Sequence, residues 1–182
     1  MQDGRPVFTA ASVHGHFVIL AVTWWIGFPL SVVGEFMPKV ASLLLALLWA
    51  PAIIVTTVFW CILLYRQWSL LQGHGARVTP GKAVGFGFIP FFCFYWWFVA
   101  YAGLATDTNN HLKTTGLAFP RMSFGLAVTD CVLSILACTI GLIPKVGAVL
   151  TIPLMIVGFI LVLQQRDCVL AILKLRQGPQ QA

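Results

Sequence analysis

The sequence predicts an all-α integral membrane protein with four transmembrane helices, arranged as two hairpins with one proline-kinked aromatic segment between them. Hydrophobic residues make up 59% of the 182 residues and charged residues only 9%, against about 25% charged in soluble domains. Two long apolar stretches share the tip sequence Pro-Lys-Val, at Pro38 and at Pro144, 106 residues apart. A chain this apolar needs lipid as its solvent, so we expect a single transmembrane domain over 1–182.

The first hairpin covers about 17–73. Its predicted spans are Phe17–Val33 and Val40–Tyr65, each long enough to cross a hydrocarbon core of about 30 Å. No small-x-small cleavage pattern follows the first span, so we expect a retained helix rather than a signal peptide. The second helix is expected to continue beyond the bilayer to Gln72-Gly73, because glycine commonly ends a helix.

The second hairpin covers about 122–178. Its predicted spans are Met122–Ile143 and Val146–Leu163. The last helix is expected to continue to Gln177-Gly178, so that both long helices project into water at the same side.

The aromatic insert between the hairpins, about 80–105, decides the topology. Its apolar part, Ala83–Ala105, is long enough to cross the membrane, which would give five spans and divide the eleven basic residues five against six. If it dips in and returns, or lies along the surface, nine basic residues share one side with only Lys39 and Lys145 opposite, a strong positive-inside bias. Pro90 also splits the segment. We therefore favour a re-entrant or interfacial insert, with five spans as the alternative.

On this topology both termini are cytoplasmic, and the basic residues are expected at the cytoplasmic side of a bacterial inner membrane. They are scattered over short loops rather than gathered in a dense patch, so the net charge of +6 does not indicate nucleic-acid binding. The cytoplasmic basic residues singled out are Arg66, Arg77, Lys82, Arg121 and Arg166.

Asp130 is the sharpest candidate for chemistry. It lies about six to eight residues inside the third span, and an ionisable residue at such depth marks an ion path, a proton relay or a partner contact. A structural interpretation is a hydrogen bond to Thr129, or to Thr56 and Thr57 across the bundle. Asp130 and Thr129 together form the predicted intramembrane polar site.

Aromatic residues supply the predicted interface with membrane lipid, with other transmembrane subunits or with a second copy. Tryptophan and tyrosine favour the headgroup boundary. No cofactor is predicted, although the same residues offer a surface for a bound lipid, pigment or quinone. They are Phe91, Phe92, Tyr95, Trp96, Trp97 and Trp68.

Other site classes find no support in the sequence. The five cysteines lie in apolar segments without a CxxC spacing, and the four histidines are expected in loops or at a boundary without an i, i+4 pair. We expect no metal site. There is no nucleophile–base arrangement and no pair of carboxylates, so we expect a non-catalytic protein.

A resemblance to a known family rests on the middle of the chain. The motifs are Tyr65-Arg66-Gln67-Trp68, Thr79-Pro80-Gly81-Lys82-Ala83-Val84-Gly85-Phe86, Phe88-Ile89-Pro90-Phe91-Phe92, Tyr95-Trp96 and Gly103-Leu104-Ala105. This stretch, about 65–109, resembles uncharacterised bacterial multi-pass proteins that often carry an N-terminal GYF-like domain, with weaker agreement over the last hairpin. The chain departs from that pattern in lacking the GYF-like domain and in having Cys93 where asparagine is frequent. The resemblance implies a bacterial inner-membrane protein and leaves the activity open.

Three functions follow from these observations. The leading hypothesis is a non-catalytic structural or accessory subunit of a membrane complex that packs through its transmembrane helices. The second is a small transporter or channel with a polar path at Asp130. The third is a lipid- or quinone-binding protein that uses the aromatic insert.

Overall fold

A computed structural model describes residues 9–35, 37–117, 120–140, 143 and 146–177 of the chain. Every regular element in this part of the chain is helical, which confirms the predicted all-α class. The second predicted tip, Pro144-Lys145, and the predicted stop at Gly178 lie outside the described residues.

The first helix, α1, spans Ala10–Glu35 and begins seven residues before the predicted start at Phe17. The Thr9 hydroxyl accepts a hydrogen bond from the Ser12 N–H at 3.2 Å, which caps the helix. Hydropathy placed the start too late because the first two turns are polar. His14 and His16 therefore lie within α1 rather than in a loop.

The second helix, α2, spans Lys39–Leu71, 33 residues that reach ~50 Å at 1.5 Å per residue. Gly73, with φ +82°, follows an extended Gln72, and the His74 N–H donates to the Leu71 carbonyl at 3.0 Å. These are the features of a type II turn, whose third residue needs a positive φ. The predicted helix stop at Gln72-Gly73 is confirmed, and the tight turn gives its physical reason.

The second hairpin consists of α6, Phe124–Thr139, and α7, Val146–Gln177. The Ser123 side chain caps α6 by accepting a hydrogen bond from the Leu126 N–H. The Gln67 Nε2 on α2 donates to the Gln165 Oε1 on α7 at 3.2 Å. The contact joins the C-terminal end of α2 to the second half of α7.

The insert is a chain of short helices broken at one turn. It consists of α3 (Pro80–Gly85), a 3₁₀ turn (Phe86–Phe88), α4 (Phe92–Trp97), a π-helical stretch (Phe98–Ala102) and α5 (Gly103–Thr114). Pro90 lies in the turn that separates two arms, 80–88 and 92–114, so the predicted break there is confirmed. At this turn Phe91 has φ +61°, and the Phe92 N–H donates to the Pro90 carbonyl at 2.7 Å, which describes a γ-turn.

The two arms of the insert return to the same end of the molecule. Halfway along, the Trp96 Nε1 donates to the Ala83 carbonyl at 3.1 Å. Before the first arm, the Arg77 guanidinium contacts the Asp107 carboxylate of the second arm at 2.7 Å. The turn at Phe91 lies 16 residues from Asp107, or ~24 Å along a helix. We call the end at which Arg77 meets Asp107 the base.

The packing order follows from the contacts between elements. Helix α1 packs against α2 and α7, and α6 packs against α7. The insert closes the remaining side, with α3 against α2 and its second arm against α6. Helix α1 thus packs between two long helices, α2 and α7. Helix α6 packs against only one of them, α7, and against the insert on its other side.

Two helices are long and apolar enough to cross a membrane, Ile53–Leu71 and Val149–Leu175, while Ala11–Gly27 and Phe124–Thr139 are shorter apolar helices. In an apolar stretch of 18 residues from each of the two long helices, only 28% and 44% of the residues, respectively, are buried inside the bundle. The core helix of a soluble protein would be mostly buried, so these apolar faces need another apolar environment. The fold is therefore that of a helical protein with two membrane-length helices among the described residues.

Candidate functional site

Asp130 is a partly buried residue with one buried oxygen that has no hydrogen-bond partner among the described residues. It is the seventh residue of α6, whose start is fixed by the Ser123 cap. Among the residues that the structure describes, no hydrogen-bond partner reaches the buried Oδ1 atom of Asp130. A buried polar atom of this kind calls for an explanation, and a bound water, ion or ligand is one of the few available.

Two of the three hydroxyl groups predicted to satisfy Asp130, those of Thr129 and Thr57, are used within their own helices. Thr129 Oγ1 donates to the Gly125 carbonyl at 2.9 Å, and Thr57 Oγ1 donates to the Ile53 carbonyl at 2.9 Å. A hydroxyl has one hydrogen to donate, so neither threonine donates to the carboxylate. The predicted Thr129–Asp130 hydrogen bond is not formed, because donation four residues back along the helix competes with it.

Asp130 borders a cavity of about 260 Å³ between three elements: α2, the second arm of the insert, and α6. This is slightly below the range of about 300–1,000 Å³ typical of pockets for drug-sized ligands. The cavity therefore suits a small ligand. Its lining residues are Thr57, Trp60, Trp97, Tyr101, Asp130, Cys131 and Ser134.

Three aromatic side chains line the cavity together with the carboxylate of Asp130. Trp60 and Tyr101 meet edge to face, with ring centroids 6.1 Å apart and an interplanar angle of 83°. Trp97 and Tyr101 lie on the second arm of the insert, and Tyr101 belongs to its π-helical stretch. Single π-helical turns within α-helices occur frequently at functional sites.

Two smaller, separate spaces lie between the Asp130 region and the base. A space of about 20 Å³ is shared by Tyr101, Asp130 and Gln165, and a further space of about 10 Å³ is lined by Gln67, Gln165 and Thr108 among others. A cavity of roughly 10–15 Å³ can just hold one water molecule. Polar side chains therefore occur at intervals between Asp130 and the base, around spaces that are not continuous with one another.

The predicted aromatic interface residues do not form one surface. Phe91 and Tyr95 are exposed, and Phe92 is partly so. Trp97 lines the Asp130 cavity, whereas Trp96 is buried against the first arm. Trp68 is fully buried and donates from Nε1 to the Ala100 carbonyl at 3.2 Å, so it is a core residue rather than one that meets lipid or a partner.

The predicted basic residues lie mostly around the base. Arg66 donates to the Ser12 hydroxyl at 3.1 Å, joining α2 to the start of α1. Arg77 makes three hydrogen bonds to Asp107, one of them from its backbone N–H. Arg166 pairs with its neighbour Asp167 at 2.9 Å on the surface of α7. Lys82, on α3, and Arg121 are exposed.

Sequence reasoning missed the partners that make the site. It singled out Asp130 but not Trp60 or Tyr101, and it did not pair Arg77 with Asp107. For the ion pair a signal was available, since charges of opposite sign flank an apolar stretch that was expected to return to its starting side. Among the described residues no group of three or more histidine, cysteine or carboxylate side chains is placed to hold a metal ion.

Comparisons with known proteins add no further assignment. No family model, curated protein or solved structure matches this chain. The resemblance of about 65–109 to bacterial multi-pass proteins with a GYF-like domain therefore stays a prediction.

Proposed function

We propose that this chain is a small membrane transporter or channel for a cation, and that Asp130 is the residue that binds the cation. The observation that carries the proposal is the buried Oδ1 of Asp130, which has no partner among the described residues and faces a cavity. An isolated carboxylate in apolar surroundings is costly unless it meets a cation or a proton. A resident structural carboxylate would be expected to have its donors in place.

The topology that we propose is four transmembrane spans with a re-entrant insert, both termini being cytoplasmic in a bacterial inner membrane. The Arg77–Asp107 contact supports this topology, because these residues flank the apolar part of the insert and lie together. A straight crossing would separate them by the thickness of the bilayer. The base is then the cytoplasmic side, in keeping with the positive-inside bias of nine basic residues against two.

The cation-binding role is tested by electrical recording from proteoliposomes with a panel of cations: protons, Na⁺, K⁺ and tetraethylammonium. We expect current for at least one of them, and we expect Asp130→Asn to abolish it. The matched control is Asp167→Asn, which removes an exposed acid of α7 that pairs only with its neighbour on the surface. Current that is absent for every cation, or equal in wild type and Asp130→Asn, would refute the proposed function.

The topology is tested separately by cysteine accessibility in inside-out and right-side-out vesicles. The five native cysteines are first replaced, and single cysteines are then introduced at the exposed positions Thr79, Lys113 and Lys39. We expect Thr79→Cys and Lys113→Cys to react from the cytoplasmic side and Lys39→Cys from the other side. Reaction of Thr79→Cys and Lys113→Cys from opposite sides would establish five spans instead.

A second candidate function, the accessory subunit, is favoured by the turn of the insert. Phe91 is 87% exposed and Phe88 is 66% exposed, on a backbone that is not α-helical. Within a bilayer such backbone is tolerated where protein or a water-filled cavity covers it. Native co-purification in mild detergent with mass spectrometry tests this role. Recovery of the chain alone would reject it, while a stoichiometric larger partner would support it.

A further inference from the structure

We propose that the cation is an organic ammonium ion with apolar substituents. This inference rests on the proposed function and names the class of its substrate. It is carried by the combination of one carboxylate and three aromatic rings around a single cavity. The rings are those of Trp60, Trp97 and Tyr101, and the carboxylate is Asp130.

The side chains that line the cavity favour an ammonium ion over a metal ion. Tryptophan and tyrosine faces attract ammonium groups through the ring quadrupole, most strongly where water is excluded, and they are the side chains used to recognise quaternary ammonium ligands. Hard metal cations such as Mg²⁺ and Ca²⁺ need about six to eight oxygen ligands. The side chains of the described lining supply five oxygens, two from the Asp130 carboxylate and one from each hydroxyl of Thr57, Tyr101 and Ser134, which is fewer than that number.

The position of the cavity mouth indicates apolar substituents. Thr57, at the edge of the cavity, is an exposed residue of α2, and its neighbours Ile53, Ile54 and Val58 are exposed by 62%, 65% and 51%. The opening therefore lies within the apolar flank of α2, in the part that the proposed topology places in lipid. An ammonium ion that enters there must partition into an apolar phase, which favours alkyl or aryl groups on the nitrogen.

The size of the cavity limits the substituents. Its volume of about 260 Å³ is that of roughly eight or nine water molecules at ~30 Å³ each. A tertiary or quaternary ammonium ion with short alkyl groups falls within that scale. Long acyl chains would have to remain outside, along the apolar flank of α2.

The experiment is calorimetric titration of the full chain in lipid nanodiscs with tetraethylammonium, whose nine heavy atoms match the cavity volume, with empty nanodiscs as the blank. We expect saturable binding to the wild type. Loss of a charge-assisted contact in Asp130→Asn should raise the dissociation constant about 10- to 100-fold. Loss of one cation–π contact in Trp97→Leu should raise it about 2- to 30-fold.

Two control variants make these changes specific. Asp167→Asn removes a surface carboxylate, and Trp25→Leu makes the same aromatic-to-aliphatic change at a half-exposed tryptophan of α1 that contacts Phe159. We expect both controls to bind within about twofold of the wild type. A Trp25→Leu effect as large as that of Trp97→Leu would mean that the response comes from general loosening of the bundle, and it would overturn the aromatic assignment.

The outcomes separate this inference from the proposed function. Asp130-dependent current for protons, Na⁺ or K⁺ without binding of tetraethylammonium would overturn the ammonium assignment and leave the cation pathway intact. Equal binding of tetraethylammonium to the wild type and Asp130→Asn would also overturn the assignment. Absence of both binding and current would overturn both proposals.

Discussion

The base and the region around Asp130, which we call the Asp130 level, differ in whether their buried polar groups have hydrogen-bond partners. At the base, polar groups are paired: Gln67 with Gln165, Asp107 with Arg77, and Asn109 with the backbone of Met122 through both its amide atoms. At the Asp130 level, one carboxylate oxygen lacks a partner and a cavity lies beside it. Fully paired networks rigidify a fold, whereas unpaired groups lower its stability. We infer that the base holds the structure and that the Asp130 level performs the function.

The largest expected effect comes from Trp68→Ala at the base. Trp68 is fully buried and hydrogen-bonded to the Ala100 carbonyl, so its replacement leaves a large cavity and removes that hydrogen bond. We expect the free energy of unfolding, measured by SDS titration of mixed micelles, to fall by about 3–5 kcal/mol. The control Trp25→Ala, at a tryptophan that is 51% exposed, should lose only about 1 kcal/mol. Equal losses would contradict the assignment of Trp68 to the core.

The second effect comes from Arg77→Ala, which leaves the Asp107 carboxylate buried without its countercharge. The Asp107 side chain is 7% exposed and that of Arg77 is 49% exposed, so water moderates the loss. We expect a decrease of about 2–4 kcal/mol in the same unfolding measurement. Arg166→Ala, which breaks an exposed pair, should cost about 0–1 kcal/mol. Binding of tetraethylammonium at the folded site should be unchanged, and a large change would contradict the separation of a structural base from a binding site at Asp130.

The third prediction is an increase in the free energy of unfolding rather than a decrease. Asp130→Leu replaces an unpaired buried carboxylate by an apolar side chain of similar size, so we expect the free energy of unfolding to rise by about 1–3 kcal/mol while cation binding is lost. Asp107→Leu is the matched change at the base and should destabilise the fold, because it leaves Arg77 without its partner. A loss of stability in both variants would show that Asp130 has a structural partner after all.

Much of the local structure could be predicted from the sequence. The end of α2 at Gln72-Gly73 and the break at Pro90 follow from the backbone chemistry of glycine and proline. Asp130 stood out because a carboxylate deep in an apolar helix is costly. Its unpaired state also has a local cause, since Thr129 donates within its own helix.

The pairings between distant segments could not be predicted in the same way. Gln67 and Gln165 are 98 positions apart, and Trp60 meets Tyr101 only because the insert folds back beside α2. Such contacts depend on how helices are rotated about their axes and packed. In this chain the exposed faces are as apolar as the buried ones, so hydrophobic periodicity does not report that rotation.

The smallest expected effect concerns the turn of the insert, at the end remote from the base. Phe91 adopts φ +61°, a conformation in which a side chain adds strain of about 1–3 kcal/mol and glycine adds little. Glycine also gains freedom in the unfolded chain, which offsets part of the relief of strain. We therefore expect Phe91→Gly to raise the free energy of unfolding by about 1 kcal/mol. The control Phe88→Gly, at an exposed 3₁₀ position, should lower it by about 0.5–1 kcal/mol. The same sign in both variants would refute strain at Phe91.

Loss of a co-purifying partner in Phe91→Gly, despite its greater stability, would instead show that the strained turn is retained because another protein binds it.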